Sequence, residues 1–248
     1  MADPEGTVAR ACRSGGRPAR VDNRSIPLAA HVTVLPMLVT KPIQEAQTLV
    51  DLDQRVILRD LSWKEFELLL AVRGDRAGVR MTYLEGDLEL MTPSQSHEGI
   101  KTAIGRIVEA YAMELDLILE GFGSWTLKNA PKERGLEPDE CYILGSAPKE
   151  RPDLAIEVIW TAGGLDKLEV YRGLDVPEVW LWRAGEIEVH ALRDEQYSRA
   201  ERSLLLPDLD LGLVARCILE AESQTDAVRT FLASLRATMS EADGASKP

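Results

Sequence analysis

The stretch RPDLAIEVIW (151–160) constrains this 248-residue chain more than any other. Taken with a period of two, it sets Leu154, Ile156, Val158 and Trp160 on one face, and Asp153, Ala155, Glu157 and Ile159 on the other. Apolar residues on both faces mark a strand buried on both sides, the kind found inside layered α/β folds. Glu157 stands in its middle, and an ionised carboxylate is costly to bury unless it is paired, hydrogen-bonded or bound to a metal. The strand therefore predicts both a core around it and a partner for Glu157.

The flanking sequence supplies the layers. DLSWKEFELLLAVRG (60–74) has the pattern of a helix, with Ser62 as N-cap, Glu65 three residues on and Gly74 near its end. VRMTYLEGDLELMTP (79–93) predicts a β-hairpin turning at Gly86-Asp87. From residue 94, apolar positions 100, 104, 107, 108, 111 and 115 keep helical spacing. A strand is expected within LDLILEGFGSWTLK (115–128) and another in EPDECYILG (137–145). The opening strand follows, then a helix over LDKLEVYRGL (165–174) and strands at EVWLWR (178–183) and EIEVHAL (186–192). Residues 211–238 have helical character, and the last ten residues are a polar tail. Interleaved strands and helices predict one α/β domain, a mixed sheet with helices on its faces.

Composition narrows the function. With 41 acidic and 29 basic residues the net charge is −12, which argues against nucleic-acid binding carried mainly by phosphate contacts but leaves room for a local basic cleft. Cys12, Cys141 and Cys217 are odd in number and show no CxxC spacing, so a reduced, cytoplasmic setting is expected. His31, His97 and His190 are equally scattered, which disfavours a zinc site of Cys and His. Arg10, Arg13, Arg17, Arg20 and Arg24 precede IPLAAHVTVLPMLVT, a superficial copy of a signal peptide that His31 and Pro36 interrupt. Residues 1–50 are expected to be a disordered leader, or the true start is Met37. No run has the length of a transmembrane helix.

Several polar residues are candidates to meet Glu157. Asp139 opens a candidate strand after Pro138, Lys167 lies in the first turn of the next helix, and His97 falls on the apolar face of its own helix, with Glu98 turned toward solvent. Two carboxylates on neighbouring strands can share a hard divalent cation, and a lysine beside them can orient a water or stabilise developing negative charge. Each residue also has a structural reading. Glu157 and Lys167 can form a buried ion pair, Asp139 can serve a turn, and His97 can be a hydrogen-bonded core histidine.

Four segments in order, YLEGDLELMTPSQSHEGIK, GLEPDECYIL, PDLAIEV and LDKLEVYRGLDVPEVWLW, resemble the Uma2 family, which is placed in the PD-(D/E)XK, or restriction-endonuclease-like, superfamily. The resemblance spans roughly residues 51–220, leaving the leader and a C-terminal helix and polar tail (221–248) outside it. It implies a restriction-endonuclease-like α/β fold, a mixed β-sheet flanked by helices, acting as an endonuclease on DNA with Mg2+ or Mn2+. It also implies Asp139 and Glu157 as metal ligands, a catalytic Lys167 supplied from the helix, and His97 assisting. Superfamily members that cut both strands commonly dimerise, so a homodimer is a further expectation. Two positions depart from the pattern: Ile159 stands where the superfamily has Lys, and Ser96 stands where family members often carry Glu. The alternative is a noncatalytic nucleic-acid- or protein-binding module that keeps the fold.

Overall fold

The computed structural model describes residues 51–245 except Ala77 and Ser124. The expectations for the leader, and for a start at Met37, lie outside the described residues. In chain order the elements are β1 (Gln54–Leu58), α1 (Trp63–Arg73), β2 (Arg80–Leu84), β3 (Asp87–Thr92), α2 (Gln95–Glu114), β4 (Leu119–Gly121), β5 (Leu127–Asn129), a short 3-10 turn (Ala130–Lys132), β6 (Arg134–Leu136), β7 (Glu140–Leu144), β8 (Leu154–Val158), α3 (Lys167–Gly173), β9 (Glu178–Arg183), β10 (Glu186–Arg193), β11 (Gln196–Ala200), α4 (Leu211–Glu220) and α5 (Gln224–Ala245).

The strands form two sheets instead of one. The first, in the order β1-β3-β2-β6-β5, is antiparallel throughout. The second, β11-β10-β9-β8-β7-β4, is mixed, with β8 and β9 its parallel pair. The segment expected to give one strand over 115–128 gives two short ones, β4 and β5, which belong to different sheets. Together with the helices this is a mixed α/β architecture of the restriction-endonuclease-like kind.

Local signals explain most elements. Ser62 and Glu65 form a reciprocal capping box that starts α1. The β2–β3 hairpin turns at Glu85 and Gly86, both at positive φ (46° and 97°), the geometry a two-residue hairpin loop requires. Helical character after residue 211 is interrupted at Ala221–Ser223. Ser223 accepts from Asp226 N (3.1 Å) and starts a separate helix, which continues through the expected polar tail to Ala245.

All five residues of β8 are buried. Leu154, Ile156 and Val158 pack with Ile104, Val108 and Tyr111 of α2, Val214 of α4 and Phe231 of α5. Ala155 faces the opposite core, with Val170 and Tyr171 of α3, and Ile159 packs at its margin. Trp160 leaves the expected alternation: it lies beyond the strand's end, is 40% exposed, and donates its indole N–H to Asp51 O (2.6 Å). A third, smaller core joins Phe66 of α1 to Met81, Tyr83 and Leu88 of the hairpin. Among the described residues no helix is long and apolar enough to cross a membrane.

Candidate active site

The register of the second sheet sets the site. β7 and β8 run antiparallel with Glu140 opposite Ile156 and Cys141 opposite Ala155. One step further along, Asp139 stands opposite Glu157. Cys141 and Ala155 both face the α3 core, so by strand alternation Asp139 and Glu157 share that face. Both are buried, with exposures of 0% and 1%.

Each carboxylate has its own set of partners. Glu157 Oε1 accepts from the Tyr171 hydroxyl (2.5 Å), and Oε2 lies 3.4 Å from Lys167 Nζ. Lys167 and Tyr171 are four residues apart on α3, so one helix face presents both. Asp139 Oδ2 accepts from Val158 N (2.7 Å) and lies 2.9 Å from His97 Nε2. Through this close contact His97 and Asp139 stabilise each other's charged forms. On the other side of the ring, Nδ1 lies 3.2 Å from Asp53 Oδ2. Asp139 Oδ1 accepts from Arg80 Nη1, which also donates to Pro138 O (3.0 Å), while Arg80 Nη2 donates to Glu98 Oε1 (2.7 Å).

These contacts push the two acids apart electrostatically. Burial drives the Glu157 pKa up to about 7, with the charge of Asp139 adding to the rise and Lys167 and Tyr171 opposing it. Burial also acts against Asp139, but His97 and Arg80 outweigh it and hold its pKa well below the usual carboxylate range. Burial likewise disfavours the His97 imidazolium, yet Asp139 and Asp53 raise its pKa above the ordinary value. Two neighbouring acids with opposite shifts are a feature of catalytic carboxylate pairs.

The structure thus brings together all four residues singled out in the sequence: Asp139, Glu157, Lys167 and His97. Lys167, from the start of α3, occupies the neighbourhood of Glu157, while Ile159 packs with apolar residues. Ser96 donates its backbone N–H to Asp51 (2.9 Å). The sequence reading missed Arg80, Asp53 and Tyr171. Tyr171 was detectable from its i+4 spacing to Lys167. Arg80 and Asp53 meet the site only through contacts between residues distant in sequence.

Beside the carboxylates opens a cavity of about 1080 Å3, lined by Arg55, Glu89, Ser96, Trp160, Lys167 and Arg183 among others. Asp139 and Glu157 do not line it. Lys167 does, and the same residue places its ammonium 3.4 Å from Glu157 Oε2. That ammonium has no hydrogen-bond partner, although the side chain is only 9% exposed. Glu89 is a second carboxylate in a buried strand position, paired with Arg55 Nε (3.2 Å) and accepting from Leu165 N (2.9 Å). Gly164 packs close beside it: a Cβ there would stand 2.6 Å from Glu89 Oε2 and would displace the Glu89–Arg55 pair.

The donor set suits one kind of metal. Among the described residues no group of three or more His, Cys, Asp and Glu side chains could hold an ion. Asp139 and Glu157 supply two carboxylates on one sheet face, the donor chemistry of a hard cation that keeps several waters. Glu157 Oε2 is only loosely engaged, whereas Asp139 Oδ1 is held by Arg80. The residues fit such a cation in kind, in competition with the arginine.

A family model described as "Uma2: Putative restriction endonuclease" matches residues 63–218, more than half of the chain, and spans His97, Asp139, Glu157 and Lys167. Comparison with curated proteins gave no match.

Proposed function

The chain belongs to the Uma2 family, and on that premise we propose that it is a divalent-metal-dependent endonuclease hydrolysing phosphodiester bonds in DNA. The observation that carries this reading is the convergence of Asp139 and Glu157 on one sheet face, with Lys167 against the second and His97 against the first. Asp139 and Glu157 would hold Mg2+ or Mn2+. A bound cation of this kind supplies Lewis-acid stabilisation of the charge that builds on the scissile phosphate.

The protein's own groups do the rest. Lys167 lines the cavity and carries an ammonium without a hydrogen-bond partner, so it is suited to position the attacking water and stabilise charge on the phosphate. Tyr171 fixes one oxygen of Glu157 and leaves the other toward Lys167. His97 has both ring nitrogens against carboxylates. It is therefore a positioning residue that orients Asp139, not a group that exchanges protons with substrate.

One observation favours a second reading. Asp139 is engaged on both oxygens by Arg80, His97 and Val158, as expected for a fold-retaining nucleic-acid- or protein-binding module. A plasmid assay separates the two. Purified protein should nick supercoiled DNA with Mg2+ or Mn2+ and stop on addition of EDTA, and Asp139→Asn or Glu157→Gln should reduce cleavage by orders of magnitude. Binding to DNA without metal-dependent cleavage of DNA or RNA would instead establish the binding module.

A further inference from the structure

The two oxygens of Asp139 are held by different kinds of partner. Oδ2 rests on the main chain through Val158 N and on His97, a ring buried to 0% exposure. Oδ1 rests on Arg80, a long side chain on β2, 12% exposed, that already has a second acceptor. Its other terminal nitrogen donates to Glu98 Oε1 at 2.7 Å, and Glu98 is 40% exposed. Arg80 and Glu98 together line a separate cavity of about 610 Å3, with Thr92, Pro93, Arg73 and Thr126 among its walls. The guanidinium therefore stands between a sealed carboxylate and a space into which it can withdraw, with an acceptor for it there.

We infer that Arg80 is a resident counter-cation for Asp139, and that a divalent ion must displace it from Oδ1, driving the guanidinium onto Glu98. Resting on the metal-centre reading above, this assigns Arg80 and Glu98 the setting of metal affinity. The physical reason is competition for one oxygen. Asp139 has no exposed surface on which to be neutralised by water, so in the absence of a metal its charge needs a cation from the protein. A guanidinium left beside a dication would be repelled. Glu98, in the first turn of α2, carries the displaced charge: its Oε1 already accepts from Arg80, while its Oε2 lies 3.2 Å from Lys101 Nζ and is neutralised separately.

Mn2+ binding to the intact protein tests this directly, through loss of the free-ion electron paramagnetic resonance signal, with folding followed by circular dichroism. An arginine contact shifts the proton affinity of a carboxylate by about one to three pKa units, so Arg80→Gln should tighten Mn2+ binding by roughly tenfold or more. Glu98→Gln, at a half-exposed position, should weaken binding severalfold, because the displaced guanidinium loses its acceptor. Equal or weaker Mn2+ binding by folded Arg80→Gln overturns the inference. If that variant does not fold, Glu98→Gln decides, and unchanged or tighter binding overturns it. Wild-type binding with no shift in either variant refutes only the role of Arg80. Loss of Mn2+ binding in all three proteins, wild type included, removes the metal centre itself and the inference with it.

Discussion

Glu157→Gln should change the pH dependence of stability in a defined direction. Glu157 is 1% exposed, and burial raises its pKa from 4.5 to about 7. A group with a raised folded-state pKa stabilises fully below its unfolded pKa, and that contribution is lost as pH rises through the folded value. The window is therefore about pH 4.5 to 7. A rise of this size corresponds, at about 1.4 kcal/mol per pH unit, to roughly 3 kcal/mol. Glutamine keeps an oxygen for the Tyr171 hydroxyl and cannot ionise, so the variant lacks this loss. Urea unfolding of both proteins in EDTA, from pH 4.5 to 8, reads the difference, because groups remote from Glu157 titrate alike in the two proteins. The variant should gain about 3 kcal/mol on wild type across the window and hold that gain above it. Parallel curves would mean that Glu157 ionises alike in the folded and unfolded protein, against the raised value. A variant destabilised by roughly 3–5 kcal/mol at pH 8 would contradict the expected gain, as the signature of a buried Lys167 stripped of an essential partner.

Asp139→Asn should destabilise the metal-free protein by roughly 3–5 kcal/mol in denaturant melts, since it leaves Arg80 and His97 buried without their shared anion. The lowered Asp139 pKa gives the opposite window to Glu157: its stabilisation is present above pH 3.8 and lost as pH falls toward the folded value, visible as an acid-side decline that Asp139→Asn lacks. Lys167→Ala should slow single-turnover cleavage far more than it weakens DNA binding, because a contact strengthened in the transition state acts on rate. Ser62→Ala, remote from the site, should cost about 1 kcal/mol through loss of the capping box, with cleavage unchanged.

What the sequence made legible follows from the range of the interactions. Glu157 was visible because a carboxylate in an apolar strand violates a local pattern, and Glu89 in β3 carries the same signal. The hairpin, the α1 capping box and the faces of β8 are set within a few residues and stand as expected, except that the turn falls one residue earlier, at Glu85-Gly86, and Trp160 lies beyond the strand's end. The Glu157–Lys167 ion pair was open to the sequence as one structural reading, since Lys167 starts the helix that follows the Glu157 strand, whereas a catalytic role for Lys167 rested on resemblance. Arg80 meets Asp139 across 59 positions and has no periodic signature. The division into two sheets was illegible for a similar reason: β4, β5 and β6 have three residues each, too few to display alternation. β11, QYSRA, is largely polar and exposed, so only its pairing with β10 identifies it as a strand.

Anomalous diffraction from crystals equilibrated with Mn2+ tests the metal centre most directly. One ion should touch both Asp139 and Glu157, within the reach of metal–oxygen bonds, with Arg80 withdrawn from Asp139 toward Glu98. An ion bound elsewhere, or Asp139 still held by Arg80 at saturating Mn2+ while DNA is cleaved, would contradict it.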